Sequence, residues 1–262
     1  MLELVLAATV KIGVFGLFHP KALEVRPAAG HAIIVEIDGR RDVIEGSAIA
    51  RLTGAARVSG RNGDLADFVL SVPGKIQREF HGRLEVKRGA RALEAIVEMD
   101  RETAVASIVG AEGSAATPFE AQKAQAVVAR SFLMAARPGH RDFDFCDTTH
   151  CQFLREPAVE SSGAYRAAAA TRGLAIVYQG RVVAAMYSAD CGGRTRAFEE
   201  TEGAYPYFAV ECPVKSNRVA GHRVGMCQVG AAELARRGVP FREILARYFP
   251  ATTIERIGSL PE

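Results

Sequence analysis

The chain has 262 residues, of which 48% are hydrophobic and 24% are charged. It is long enough to bury a core of its own, and its composition is typical of a globular protein and excludes a low-complexity chain. The formal net charge is only +3 and no concentrated tract of Lys and Arg occurs, so nucleic acid is not an expected partner. A mild positive charge remains compatible with an anionic polymer as partner.

The first residues give no clear export signal. The run from Leu2 to Phe18 is apolar apart from Glu3 and Lys11, but no basic region precedes it. Lys11 also leaves the uncharged stretch too short to cross a bilayer. Residues 10–17 alternate in the manner of a first strand. Two alternatives follow: an export signal is missing from this sequence, or Met1 to Thr9 is the remnant of one.

The first hundred residues are predicted to be rich in β-strands. Strand patterns occupy residues 32–37, 68–72, 82–86 and 93–97. Asp38-Gly39, directly after the first of these strands, is a hairpin signal. Residues 1–104 are therefore expected to form a β-rich N-terminal portion.

Helices are predicted to follow in residues 105–262. Thr117-Pro118-Phe119-Glu120 matches a capping box with proline at the first helical position, so a helix is expected from Pro118 to Arg137. Further elements are expected as helices at residues 161–171, 231–237 and 241–248 and as a hairpin over residues 174–187. The predicted fold class is α+β, with the β-rich portion packed against this helix-containing core.

The five cysteines all lie in the C-terminal half, and an odd number excludes complete internal pairing. His140, Cys146 and Cys151 fall within one short loop. Thiolate and imidazole are ligands that zinc prefers, and His150 or a water would complete the set. The alternative is a disulfide between Cys146 and Cys151. No cofactor other than such a structural zinc is expected.

Four stretches of sequence carry a resemblance to a known family. Glu112 is followed, eight residues later, by EAQKAQAVVARSF over residues 120–132. Gln152 follows the Cys/His loop. A third stretch covers residues 187–195, and a fourth covers residues 221–231 followed by 244–250. In this order they resemble the SpoIID/LytB domain, which is found in stage II sporulation protein D and in amidase-enhancer proteins.

The resemblance covers roughly residues 105–257, and it implies a catalytic role for Glu112 and Arg130. Glu112 would act as acid and then as base, since one carboxyl group can serve both steps. Residues 108–111 are apolar, which favours the protonated acid form. Arg130 would orient Glu112 or hold a substrate group. Judged without the family, Glu112 also fits an exposed carboxylate before a helix, and Arg130 fits a structural ion pair.

The resemblance also implies substrate contacts along the same stretches. The residues concerned are Lys123, Gln125, Gln152, Ser188, Gly192, Gly193, His222 and Gln228. Structural alternatives stay open for several: surface exposure for the lysine, backbone hydrogen bonding for the first glutamine, a neighbouring loop against the glycines and a structural role for the histidine. Cys191 and Cys212 are implied disulfide partners, because relatives often carry cysteines near both places. The family pattern is departed from at Gly113-Ser114 and at residues 227–230, which affects the expected substrate contacts.

The resemblance implies a peptidoglycan lytic transglycosylase. The expected reaction is non-hydrolytic cleavage between N-acetylmuramic acid and N-acetylglucosamine of peptide-stripped glycan strands, leaving a 1,6-anhydro end. The alternative is a non-catalytic peptidoglycan-binding enhancer of a cell-wall amidase. Expected partners are therefore glycan strands and such an amidase, and the expected location is the cell envelope.

A cysteine hydrolase is a third hypothesis. It would use Cys227 with His222, or Cys151 with His150. Cysteine and histidine so close in sequence rarely form a catalytic pair, since the two are normally contributed by distant segments. This class is therefore not favoured.

Overall fold

The computed structural model describes residues 9–28, 30–199 and 204–257. Its residues group into two compact units, and the chain divides between them inside one helix, at Ser107 and Ile108. Unit 1 holds residues up to 107 together with 137–157, and unit 2 holds residues 108–136 and those from 158 onward. The proposed remnant of an export signal, Met1 to Thr9, lies outside the described residues except for Thr9.

The strands are β1 (Thr9–Val14), β2 (Leu23–Pro27), β3 (Ala32–Ile37), β4 (Arg40–Glu45), β5 (Ala50–Leu52), β6 (Ala56–Ser59), β7 (Ala66–Val72), β8 (Ile76–Arg88), β9 (Leu93–Asp100), β10 (Phe145–Cys146), β11 (Leu174–Tyr178), β12 (Arg181–Val182), β13 (Tyr187–Ser188), β14 (Met226–Cys227) and β15 (Thr253–Arg256). The helices are α1 (Arg101–Glu112), α2 (Phe119–Ala135), α3 (Gly163–Ala170), α4 (Gln228–Arg236) and α5 (Phe241–Tyr248), with 3₁₀ turns at Gly16–Phe18 and Arg61–Gly63.

Unit 1 is built on a large, mainly antiparallel sheet. Its strands follow the order β10-β1-β9-β8-β6-β3-β4, and β2, β5 and β7 join it through β8. Alternate residues of β8 are buried, as expected for strands with one face on a core. The predicted hairpin at Asp38-Gly39 is present between β3 and β4, with both residues at positive φ (51° and 79°). Together with the helices, this sheet confirms the α+β fold class.

The long strand β8 changes partners at Gly82. Before this point it pairs with β7, and after it with β6 on one edge and β9 on the other. A Cβ at Gly82 would lie 2.5 Å from the carbonyl oxygen of Glu98 and 2.9 Å from a methyl group of Val97. Only glycine fits such a close approach of two backbones.

The loop that carries the clustered cysteines is anchored to unit 1. Its strand β10 pairs in parallel with β1. Asp147 accepts a hydrogen bond from buried Arg78 at 2.8 Å and one from the Phe15 amide at 3.4 Å. Arg78 also donates to the Leu154 carbonyl at 3.1 Å. These contacts hold the loop to unit 1 at Asp147 and at Leu154. The buried ion pair is costly to break, because removing one member would leave the other charge uncompensated.

Unit 2 is organised around helix α2. The helix is rich in alanine, which favours helix formation and lets neighbouring elements approach closely. Its buried face packs into a cluster that includes residues of β11, α4 and α5. Strand β11 pairs with β12 and β15 in a small sheet, and β13 pairs in parallel with β14. The predicted second strand of the hairpin over residues 174–187 is short, because β12 ends at Val182.

The Arg130 side chain is completely buried in α2 and bonds to three neighbouring segments. Its guanidinium donates to the carbonyls of Leu174 at 3.1 Å, Ala168 at 3.2 Å and Ala126 at 3.4 Å. These oxygens belong to the start of β11, to α3 and to the preceding turn of α2. The guanidinium therefore joins three elements whose backbone acceptors would otherwise be buried without these donors.

One helix was missed, and one expectation about local structure was wrong. Helix α1 was not predicted; it is capped by Asp100, whose carboxylate accepts from the amides of Glu102 and Thr103. The predicted capping box at the start of α2 does not form, because Pro118 is the N-cap residue and has no side-chain hydrogen bond. The Glu120 carboxylate instead accepts from the Phe241 amide at 2.8 Å, at the start of α5.

The predicted division into residues 1–104 and 105–262 stays a prediction. The compact units group the chain differently, since residues 137–157 belong with the first hundred residues. Within the described ranges, none of the helices has the length and apolar character needed to cross a bilayer.

We expect Arg130→Met to lower the free energy of unfolding by about 3 kcal/mol or more, because three buried carbonyls lose charged donors. Urea unfolding followed by circular dichroism measures this change. Exposed Arg172 provides the matched control, and Arg172→Met should shift stability by less than about 0.5 kcal/mol. A loss below about 1 kcal/mol for the Arg130 variant would contradict the structural role given to this network.

Candidate active site

Glu112 is the last residue of α1 and lines a cleft in unit 2. Its neighbour Gly113 donates to the Val109 carbonyl at 3.1 Å, and a Cβ at Gly113 would lie 2.9 Å from that oxygen. The turn that follows is held by Thr117, whose hydroxyl accepts from the Ser114 amide at 3.1 Å. Glycine therefore ends the helix at the carboxylate, and the turn leads directly into α2.

The cleft has a volume of about 340 Å³. Its walls come from the end of α1, from the first turns of α2, from Ala189 and from the start of α4. The polar side chains in its lining are Glu112, Ser114, Thr117, Gln122, Gln125, Gln228 and Arg236. Three of the predicted site residues, Glu112, Gln125 and Gln228, are thus brought together.

Tyr187 lies against Glu112, although sequence reasoning did not select it as a site residue. Burial raises the pKa of Tyr187 well above its usual value, and the neighbouring Glu112 carboxylate raises it further. The phenol therefore keeps its proton at neutral pH. The available signal was its position at the start of the family-like stretch 187–195, next to the selected Ser188.

Two glutamine side chains of α2 line the cleft with unused hydrogen-bonding groups. Gln125 is 5% exposed, and among the described residues neither its amide nitrogen nor its amide oxygen has a partner. Gln122, which was not predicted, donates to the Thr117 carbonyl at 2.7 Å, while its oxygen has no partner in the described part of the chain. A buried amide without partners costs about 1–3 kcal/mol, so these groups are placed to bind a ligand or ordered water.

Gln228 connects the two sides of the cleft. It is the first residue of α4, and its side-chain nitrogen donates to the Glu112 carbonyl at 3.4 Å. The start of α4 is fixed in turn by Val229, whose amide donates to the Ala189 carbonyl at 3.1 Å. The end of α1 and the start of α4 are thereby held on opposite sides of one opening.

Arg130 and Lys123 do not line this cleft. The Arg130 guanidinium lies in the interior, where it bonds to backbone carbonyls. The Lys123 ammonium forms an ion pair with Glu120 and lies over the rings of Phe119 and Phe241, at 5.3 and 5.0 Å from their centroids. Substrate contact by either residue stays a prediction.

The two predicted glycines approach a neighbouring segment of the same chain. Gly192 and Gly193 have positive φ values of 73° and 112°. A Cβ at Gly192 would lie 3.0 Å from a methyl group of Val219, and one at Gly193 would lie 3.4 Å from Lys215. The alternative of a neighbouring loop thus has structural support, and these glycines do not line the Glu112 cleft.

Ser188, His222 and Gln152 also lie outside the lining of the cleft. Ser188 and Gln152 are both buried, and no partner for their side-chain polar atoms is found among the described residues. The Nδ1 atom of His222 accepts from the Val224 amide at 3.0 Å, so the proton of the neutral ring is on Nε2. Roles for these three in substrate binding stay predictions.

The Cys/His loop of unit 1 brings four ligand-type side chains together. The ligand atoms of His140, Cys146, His150 and Cys151 all lie within 4.8 Å of one another. The Cys151 sulfur is 3.2 Å from His140 Nε2 and 3.4 Å from the Cys146 sulfur. Burial raises the pKa of Cys151 to about 12, so a bound cation would be needed to hold it as thiolate at neutral pH. Two sulfurs and two imidazoles fit the tetrahedral set that zinc prefers.

The other three cysteines meet in the core of unit 2. Cys191, Cys212 and Cys227 are buried, and all five cysteines of the chain are free thiols in the structure. The implied partners Cys191 and Cys212 are therefore neighbours without a disulfide bond, and Cys227 joins them. Complete burial of Cys227 gives a substrate no access to its sulfur, which removes support for a cysteine hydrolase at this position.

The fold and the cleft define an α+β protein with a carboxylate presented beside polar amides. Residues 90–178 match the stage II sporulation protein family, SpoIID. The match includes Glu112, all of α2 and the Cys/His loop. This family fits a role at the cell wall and is associated with cell-wall lytic activity.

A curated relative comes from Brachyspira hyodysenteriae, where it is described as an uncharacterized protein. It is 33% identical to this chain over 134 residues, which make up 50% of this chain. The chain spans about a third of the length of that relative, 36%.

We expect the protein to lose stability on acidification through the usual His range. Burial lowers the pKa of His222, the Arg196 charge lowers it further, and a backbone hydrogen bond at Tyr187 opposes the shift. The unfolded chain therefore binds a proton more readily, so this contribution is complete above a pH of about 6.5 and is lost as the pH falls below that value. Urea unfolding between pH 8 and pH 5 measures the slope.

The His222→Asn variant keeps an acceptor for the Val224 amide and should flatten that slope. The control is His19→Asn, because His19 is exposed and lies in unit 1. Equal slopes for the wild type and the His222 variant would show that this histidine does not titrate differently in the two states.

Proposed function

We propose that this protein is a peptidoglycan lytic transglycosylase with Glu112 as its catalytic acid and base. The observation that carries the proposal is the placement of Glu112 in a cleft, beside the protonated phenol of Tyr187 and the buried amide of Gln125, which has no partner among the described residues. The match to the SpoIID family, which is associated with cell-wall lytic activity, supports the proposal.

The proposed reaction uses one carboxyl group twice. Glu112 first protonates the glycosidic oxygen as the bond to N-acetylmuramic acid breaks, and its carboxylate then takes the proton of the sugar's own 6-hydroxyl. That oxygen bonds to the anomeric carbon, and the glycan is left with a 1,6-anhydro end. No water is consumed, and the proton given up in the first step is recovered in the second.

The composition of the cleft favours this route over hydrolysis by two carboxylates. Ordinary glycosidases place a second carboxyl group roughly 5–9.5 Å from the first. Among the described residues that line the cleft, Glu112 is the only carboxylate. Intramolecular attack by the 6-hydroxyl needs no second base, so a single carboxylate is sufficient.

Tyr187 is proposed to position the catalytic group. Its buried phenol lies beside the Glu112 carboxylate and keeps its own proton, so a donation to that group during the reaction would fix its orientation between the two proton transfers. Tyr187 therefore acts through Glu112, and it is a positioning residue.

The amide side chains of the cleft suit an N-acetylated sugar. Within the described part of the chain, the amide oxygens of Gln122 and Gln125 and the NH₂ group of Gln125 have no partner. An acetamido group carries one N–H donor and one carbonyl acceptor, so a primary amide can complement both. Gln228, whose side chain bonds to the Glu112 carbonyl, is proposed to keep this wall in place.

The biological setting is proposed from the family. By resemblance, the preferred substrate is glycan already stripped of stem peptides, the location is the cell envelope, and a cell-wall amidase is a partner. An amidase would supply the stripped strands that this reaction consumes.

We expect wild-type protein to release 1,6-anhydromuramic ends from peptide-free glycan strands and Glu112→Gln to do so at least about 100-fold more slowly, because the amide cannot transfer a proton. Mass spectrometry of the products measures this. The matched control is Glu160→Gln, since Glu160 is exposed and lies outside the cleft. Equal unfolding midpoints for the two variants would show that both are folded.

Each outcome of this experiment assigns a mechanism. Full activity of a folded Glu112→Gln protein would exclude Glu112 as the acid. Reducing ends from the wild type would mean hydrolysis and would overturn the intramolecular route. A lack of cleavage by the wild type would favour the non-catalytic alternative, a glycan-binding enhancer of an amidase.

We propose further that the Cys/His loop holds a structural zinc through His140, Cys146, His150 and Cys151. When bound, the ion would supply fixed coordination and would take no part in the reaction. Protein purified under reducing conditions should contain about one zinc per chain by elemental analysis, and a strong chelator should lower its Tm because the native state loses a ligand.

The double variant Cys146→Ser, Cys151→Ser should contain no zinc in this loop and should be insensitive to the chelator. A disulfide between Cys146 and Cys151, detected as a mass two hydrogens lower in the peptide that contains both, would contradict the zinc proposal and support the alternative.

A further inference from the structure

Three thiols from separate segments of unit 2 meet in its core. Cys191 follows β13, Cys212 lies in the segment before β14, and Cys227 is the last residue of β14. Their sulfur atoms all lie within 4.8 Å of one another. The three residues are 0%, 5% and 0% exposed, respectively.

Hydrogen-bond donors point at two of these sulfurs. The amides of Cys191 and Gly230 both donate to the Cys227 sulfur at 3.4 Å, and this sulfur caps the N-terminus of α4. The Cys212 sulfur is 3.3 Å from the Tyr248 hydroxyl. Donors from amides and hydroxyls stabilise a thiolate, and a helix N-terminus adds partial positive charge.

The cluster is closely packed against the start of α4. A Cβ at Gly230 would lie 2.1 Å from the Tyr248 hydroxyl and 2.3 Å from the Cys212 sulfur, so only glycine fits there. The Cys212 amide donates to the Gly193 carbonyl at 2.9 Å, which fixes the backbone that carries this sulfur.

We propose that Cys191, Cys212 and Cys227 form a buried, all-sulfur binding site for a soft monovalent cation of the cuprous class. Among the described residues, this group of ligand atoms contains no imidazole and no carboxylate. Thiolate ligands select soft ions such as Cu(I). Metal–sulfur bonds of about 2.3 Å would place three trigonal sulfurs about 4.0 Å apart, which is within the observed spacing.

The number of ligands distinguishes this site from the Cys/His loop. Zinc in structural sites is almost always four-coordinate, and the loop offers two sulfurs and two imidazoles. The core cluster offers three sulfurs and is closed to solvent, so it suits an ion that accepts three ligands. The alternative is a disulfide between two of the three cysteines, which would leave the third as a free thiol.

The test uses the double variant Cys146→Ser, Cys151→Ser, in which the loop no longer competes for metal. The reduced protein is given Cu(I) without oxygen, both folded and during refolding, in the presence of a coloured Cu(I) chelator. We expect one copper to be retained per chain, and zinc offered in the same way not to be retained. Adding Cys191→Ser, Cys212→Ser or Cys227→Ser should abolish retention in each case.

Two further measurements keep the proposal testable if those variants fail to fold. X-ray absorption of the copper-loaded double variant should show three sulfur neighbours and no nitrogen. Tyr248→Phe removes the hydroxyl next to the Cys212 sulfur, and it should weaken Cu(I) binding roughly 10-fold, as loss of an outer partner does at metal sites. A purely structural tyrosine would change stability and leave the copper affinity unaltered.

Several results would overturn the proposal. One is a disulfide within the cluster in protein purified from cells. Another is three free thiols that retain no copper, and a third is copper retention that survives all three substitutions. Nitrogen neighbours in the absorption spectrum would likewise place the ion elsewhere.

Discussion

The hydrogen bonds of the Arg130 guanidinium are the interaction on which the organisation of unit 2 depends. They join α2 to α3 and to the start of β11 from a position that solvent does not reach. Ser131 continues the same connection, because its hydroxyl donates to the Val127 carbonyl and accepts from the Ile176 amide. These contacts hold the second half of α2 in the core. Because the helix is continuous, they also fix its first half, which carries the cleft residues Gln122 and Gln125.

The candidate site combines one carboxylate with neighbours that cannot take its proton. The Tyr187 phenol keeps its own proton, and the glutamine amides of the cleft do not titrate. Proton transfer in such a cleft is limited to Glu112 and whatever ligand enters. The polar lining then serves binding and orientation, while the single carboxylate supplies the chemistry, and this separation is the physical basis of the mechanism proposed for a SpoIID-type domain.

Local signals allowed most of the elements to be predicted, and contacts between distant segments account for what was missed. The β3–β4 hairpin and α2 follow from Asp38-Gly39 and from an alanine-rich run. Helix α1 was missed because residues 104–109 are almost continuously apolar and buried, so no 3.6-residue period is visible. Glu120 was assigned to a cap because its partner, the Phe241 amide, lies 121 residues further along the chain.

The site residues that lie in local sequence motifs were predicted, and one that depends on a long-range strand pairing was missed. Glu112, Gln125 and Gln228 were found through family-like stretches, whereas Tyr187 reaches Glu112 only because β13 pairs with β14, 39 residues away in sequence. The pairing of two strands this far apart in the chain cannot be predicted from a local sequence pattern. Cys227 was separated from Cys191 and Cys212 for the same reason, since these three residues share no short motif.

The route of the chain through the two units has a consequence for fragments of this protein. Residues 137–157 leave α2 and return to α3, yet their strand β10 pairs with β1 at the other end of the sequence. The family match at residues 90–178 therefore marks a stretch of related sequence and does not mark a unit that folds by itself. A protein cut to this window would contain β9 without β1 and β8, and both edges of that strand would be open to pairing with other chains. Such a fragment would tend to aggregate even though it contains Glu112.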